Sequence, residues 1–172
     1  MTWLRAILTI AALAAGWAAP AAAGDDPFQR IRTLEGVWYA VDGKGAVTDQ
    51  IVSVFHVTAN GHSVQEVMFP GAANEMVNMY YRDGDSVRMT HYCAGGNQPT
   101  MQLVPTPAQG VIQLEFVDIT NMITMDDEHM REGRFEWLGD DRLKTEWRVY
   151  RNGQFLEASQ FEMARRTETR SR

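Results

Sequence analysis

The sequence predicts an all-β protein, an up-and-down antiparallel β-barrel of about eight to ten strands with a short N-terminal helix. Three observations predict it. From Gly36 onward the chain is written in short runs rich in Val, Ile, Thr, Phe, Tyr and Trp, each bounded by Gly, Asn, Asp or Pro. Almost no helical periodicity separates those runs. Their connections are of hairpin length, without the long crossover that a Greek-key sandwich needs. A meander of many strands avoids exposed edges by closing on itself.

The elements follow in order. Met1-Thr2-Trp3-Leu4-Arg5 carries one basic charge, the chain is then apolar from Ala6 through Ala19, and Ala21-Ala22-Ala23 ends the stretch. A basic start, an apolar core shorter than the ~20 residues of a membrane span, and an Ala-x-Ala end describe a secretory signal peptide. Cleavage is expected after Ala23, leaving residues 24–172 as a single barrel domain, periplasmic or secreted. No cysteine stands at the expected cut to accept a lipid. Residues 27–34 read as one or two helical turns, with Asp25 or Asp26 as cap and Pro27 in the first position. Phe28, Ile31 and Leu34 give that helix one apolar face.

Strands are predicted over residues 37–41, 47–57, 62–69, 75–82, 86–93, 101–104, 111–117, 130–138, 143–150 and 155–164. Asp42-Gly43, Asn60-Gly61, Pro70-Gly71, Asp83-Gly84, Gly95-Gly96, Gly139-Asp140 and Asn152-Gly153 supply the turns. Residues 118–128 are the longest connection. Their apolar Ile119, Met122, Ile123 and Met125 suit either a lid over the barrel mouth or a loop packed outside it. The tail from Arg165 to Arg172 is polar and expected to fray.

Composition excludes some partners. The formal net charge is −6, and loss of Arg5 with the leader makes it −7. Nucleic acid and anionic membrane surfaces want the opposite sign. Nucleotide-binding glycine loops and the Gly-x-Ser-x-Gly elbow are missing from the sequence. Cys93 is the only cysteine, so it makes no internal disulfide. It is buried and inert, pairs between chains, or serves as a functional thiol; burial is the usual fate of a free cysteine.

Chemistry concentrates in residues 90–101, Thr-His-Tyr-Cys-Ala-Gly-Gly-Asn-Gln-Pro-Thr-Met. Alternation along the preceding strand puts Val87, Met89, His91 and Cys93 on one face, which begins apolar and so points inward. By the same parity His129 shares a face with Gly133, Phe135 and Trp137. Glu66 goes with Val64 and Met68, and Trp147 with Leu143, Thr145 and Val149. The candidate ligand-binding residues are therefore His91, Cys93, Asn97, Gln98, Met101, Met89, Glu66, His129 and Trp147. Apolar walls with a few converging polar groups make a small-molecule pocket; the same side chains also suffice to fill a small barrel. The expected partner is a small apolar or mixed-polarity ligand, and no cofactor is named. A metal or thiol-dependent site is the alternative, using His91, Cys93 and His129. A structural role is a third, with His91, Tyr92, Asn97 and Gln98 satisfying the loop's backbone.

Gly36-Val37-Trp38 follows the short helix and opens the first strand, and Arg165 and Arg166 close the last one. This pattern resembles the lipocalins and the wider calycin group. The resemblance implies a Trp plugging one end of the barrel with an Arg packed across its ring. The chain is also similar to exported bacterial lipocalin-like proteins of unassigned function. It shares their Thr-His-Tyr-Cys and Asn-Gln-Pro stretch (residues 90–99) and their late Gly-x-Phe and Glu-Trp run (residues 133–147). Haem barrels of the same general plan imply a ligating His in the last strands, and residues 143–164 contain none. Fatty-acid-binding barrels imply an Arg-x-Tyr clamp on the last strand; here Arg148-Val149-Tyr150 stands one strand early.

Overall fold

A computed structural model describes residues 26–124 and 126–166. The predicted signal peptide, residues 1–23, and the tail from residue 167 lie outside the described residues. Ten antiparallel strands follow one helix: β1 (Gly36–Val41), β2 (Val47–Thr58), β3 (Ser63–Met68), β4 (Met76–Asp83), β5 (Ser86–Tyr92), β6 (Gln98–Pro105), β7 (Val111–Thr120), β8 (His129–Gly139), β9 (Arg142–Arg151) and β10 (Gln154–Ala164). Each strand pairs with its sequence neighbour, and β1 pairs with β10 to close the barrel. The predicted fold class is the one observed. Among the described residues no helix is long and apolar enough to cross a membrane.

Helix α1 (Pro27–Arg32) seals one end. Asp26 caps it, its carboxylate accepting from Phe28 N at 3.0 Å, and Pro27 fills a position where no N–H is needed. Phe28, Ile31 and Leu34 are buried against the barrel floor. Each such side chain contributes about 1.5–3 kcal/mol by leaving water. Just beyond, Trp38 is fully buried and its indole N–H donates to Leu34 O at 2.7 Å. The Arg165 guanidinium lies 4.9 Å from the Trp38 ring centre and donates to the carbonyls of Thr33 and Glu35. The Trp–Arg plug that the resemblance implies is present. Arg166 stacks likewise on Tyr39, 4.1 Å from its ring centre.

Aromatic rings continue the core away from that floor. Trp38 meets Phe55, Phe55 meets Tyr80, Tyr80 meets Phe135 and Phe135 meets Trp147, with centroids 5.6–6.5 Å apart. Met89, Met101, Leu103, Leu114, Leu143 and Met163 fill the space around them. The lower barrel is therefore solid, and any ligand space must lie above Trp147.

Most strand ends fall within a residue of expectation; three differences bear on the open end of the barrel. β6 begins at Gln98 rather than at residue 101. Pro99 is tolerated because pairing with β5 starts only at Thr90↔Thr100, so its missing N–H costs no ladder bond on that side. β7 runs on to Thr120, pairing Pro99↔Ile119 and Gln98↔Thr120. The long connection thus shrinks to residues 121–128, and Ile123, 85% exposed, covers nothing. Of the two readings of residues 118–128, a lid or a loop packed outside, the lid is not seen: among the described residues the connection is a short acidic turn, whose Asp127 accepts from the backbone of Ile123 and Thr124. β5 stops at Tyr92, so Cys93 opens the turn instead of ending the strand. Cys93 N donates to Asn97 O, Gly96 N donates to Cys93 O, and the thiol is half-buried rather than buried.

Candidate functional site

The end of the barrel opposite α1 is where the turns β3–β4, β5–β6 and β7–β8 gather, and it holds a cavity of about 260 Å³. Met68, Phe69, Met76, Met130, Val149 and Phe161 form apolar walls. Trp147 forms the wall nearest the packed core. His91, Cys93, His129, Glu128, Glu157 and Ser159 supply polar surface.

The local sequence explains each placement. Trp147 has room because its cross-strand partner on β8 is Gly133. A Cβ at Gly133 would stand 2.8 Å from the Trp147 ring, closer than packed atoms come. His91 lies on β5 opposite Asn78 on β4, and Asn78 lies opposite Glu66 on β3. Three neighbouring strands therefore bring these polar side chains into one buried row.

That row is a continuous hydrogen-bond network. The Glu66 carboxylate accepts from Ser53 Oγ at 2.6 Å, Tyr80 Oη at 2.6 Å and Asn78 Nδ2 at 2.7 Å. With its amide nitrogen turned to Glu66, Asn78 presents Oδ1 to His91 Nδ1 at 2.6 Å. Nδ1 therefore carries the ring proton, and Nε2 is a bare acceptor when the ring is neutral. Burial pushes His91 down to about 4, so it is neutral at pH 7. Burial also pushes the Glu66 carboxyl up, against the pull of its three donors. Tyr80 is driven well above its ordinary value, first by burial and then by the Glu66 charge. Among the described residues His91 Nε2 has no hydrogen-bond partner.

The nine predicted residues divide by place. His91, Cys93, His129 and Trp147 border the cavity. Glu66 is buried behind His91 and reaches it only through Asn78. Met89 and Met101 face each other across β5 and β6 and belong to the packed core, not the cavity wall. Asn97 and Gln98 order the rim: Asn97 donates to Glu128 O at 2.8 Å, and Gln98 donates to Gly96 O at 2.7 Å and accepts from Thr120. Simple alternation fails on β8, because the register shifts between Met130 and Glu132. Met130 thus takes a place on the cavity wall, and His129 reaches the cavity from the strand's first residue, its Nδ1 3.0 Å from Asp127 O. Among the described residues no group of three His, Cys, Asp or Glu side chains is arranged to hold a metal ion.

Sequence reasoning missed Ser53, Asn78 and Tyr80. Alternation alone puts Asn78 and Tyr80 on one strand face, but only the register shows that they meet Glu66 and His91. A larger groove, about 560 Å³, borders Glu115, Arg131, Glu132 and Tyr150 where β7 and β8 part, and no buried polar network converges on it. Fatty-acid clamping by Arg148 and Tyr150 has no support from their placement, since both bond Glu132 beside that groove. Compared with protein-family models and with curated proteins, the chain matches none.

Proposed function

We propose that this chain is an exported barrel of the lipocalin or calycin kind that binds a small, largely apolar ligand at its open end. The observation that carries the reading is the cavity itself. Its walls are apolar, its space continues into no packed core, and one buried polar row ends at it in His91. At about 260 Å³ it falls just under the ~300–1,000 Å³ usual for ligand pockets, so the ligand is a compact one. The Trp38–Arg165 plug supports the lipocalin kinship. The apolar run of residues 6–19 with its Ala-x-Ala end supports export.

Native mass spectrometry of protein recovered from its own cell envelope tests both points. The mature chain should begin at Gly24 and carry a small adduct. Ser159→Trp, at an exposed cavity-lining position, should abolish the adduct and leave the thermal midpoint within a few degrees. A chain that keeps residues 1–23 would count against export. A bare wild-type chain whose midpoint no small-molecule probe raises would sink the binding reading.

A further inference from the structure

The polar groups at the cavity define a ligand chemistry. His91, only 1% exposed, offers an acceptor lone pair at Nε2 that nothing among the described residues uses. A buried acceptor left unpaired costs about 1–3 kcal/mol, which a donor brought by a ligand would recover. The charged side chains that line the cavity are both acidic, Glu128 and Glu157; among the described residues no Lys or Arg lines it. Glu128 is paired with Arg151, whereas Glu157 makes no ion pair among the described residues. Phe69 and Phe161, with ring centres 5.4 Å apart, and Trp147 offer aromatic faces to the same space.

We propose that the cavity takes a small primary amine on an apolar body, such as an arylalkylamine, with its ammonium donating to His91 Nε2 and balanced by Glu157. This rests on the reading of the cavity as a ligand site. The apolar body lies among Phe69, Phe161 and Trp147, whose faces also favour a nearby cation. A carboxylate ligand would meet two carboxylates and a lone pair, with only the Ser159 hydroxyl and the Cys93 thiol as side-chain donors and no cation among the described residues to balance it. An alcohol can make the His91 bond but leaves Glu157 without a counter-charge. Nε2 is itself buried, so the amine reaches it as the wall side chains turn aside. Met68 and Met76 are unbranched and suited to that movement.

Calorimetric titration of the mature protein with phenethylamine, phenethyl alcohol, hydrocinnamate and ethylbenzene tests the proposal. The amine should bind roughly tenfold more tightly than the alcohol, because its hydrogen bonds are charge-assisted. Hydrocinnamate should not bind. Glu157→Gln should weaken the amine about two- to fivefold and leave the alcohol unchanged, the scale of an exposed ion pair. Nitrogen NMR of histidine-labelled protein should show the His91 Nε2 resonance move as the amine is added, a readout that needs no substitution of a buried residue. Equal binding of the amine and ethylbenzene, better binding of hydrocinnamate, or an unmoved Nε2 resonance would each overturn the amine while leaving the cavity a ligand site. If none of the four probes binds, both readings fall.

Discussion

His91 is neutral because it is buried, and that makes it a source of pH dependence. Its folded value is about 4 against 6.5 for a free imidazole. Between those values the unfolded chain takes up a proton that the folded chain refuses. Stability is intact above pH 6.5 and falls as the pH drops toward 4, by at most roughly 3 kcal/mol. Glu66 acts with the opposite sign. Its raised value lets the folded carboxyl keep a proton that the unfolded one has released, so stability is lost as pH rises through that window. Urea unfolding at pH 5 and pH 7 separates the two. His91→Gln, which can still donate to Asn78, should lose less stability at pH 5 than the wild type does; an equal loss would mean that His91 is not the titrating group. Gly133 has a steric role of its own. Gly133→Ala should cost about 1–3 kcal/mol by overpacking against Trp147, measured by chemical denaturation, and should narrow the cavity as the ring is displaced.

The decisive element is the floor formed by α1, the start of β1 and the end of β10. A helix of six residues is too short to be stable by itself. It holds because Asp26 caps it, its apolar face is buried, and Arg165 ties the loop after it to the last strand. Arg165→Ala should therefore destabilise the barrel by about 2 kcal/mol, combining a lost cation–π contact with stranded carbonyls. Arg165→Lys should recover only part, since an ammonium cannot reproduce the guanidinium's several directed bonds. Full recovery in the thermal midpoint would show that charge alone matters there. At the other end, the element boundaries moved because pairing, not local propensity, decides where a strand stops. Ile119 and Thr120 are strand residues only because Pro99 and Gln98 lie beside them.

Closure is uneven across the whole barrel. β8 and β9 pair from His129↔Tyr150 to Gly139↔Arg142, whereas β1 and β10 meet at Tyr39↔Ala164 and Ala40↔Met163. Above that seam β10 is exposed on both faces, with Phe155 48% and Leu156 44% exposed. The seam should be the first part of the sheet to open. Hydrogen exchange should find the amides of the β1–β10 seam less protected than those of β8 and β9; equal protection would show that the barrel opens only as a whole. The cavity lies beside this weaker side, since Glu157, Ser159 and Phe161 of β10 line it.

The sequence by itself determined the all-β class, a meander of about eight to ten strands and the capped helix, while the Trp–Arg plug was what the resemblance to lipocalins implied. The first three rest on local chemistry: alternation, turn residues and a capping carboxylate. The sequence also marked His91 and Trp147, because period-two parity holds along β5 and β9; Cys93 in the turn and His129 before the β8 register shift line the cavity for reasons that parity does not supply. Tertiary structure alone decided what those residues meet. Cross-strand register joins Glu66 to Asn78 and Asn78 to His91, and no property of a single strand encodes that alignment. The bulge after Met130 and the filling of the lower barrel by Met89 and Met101 were likewise settled only when ten strands closed around a shared volume.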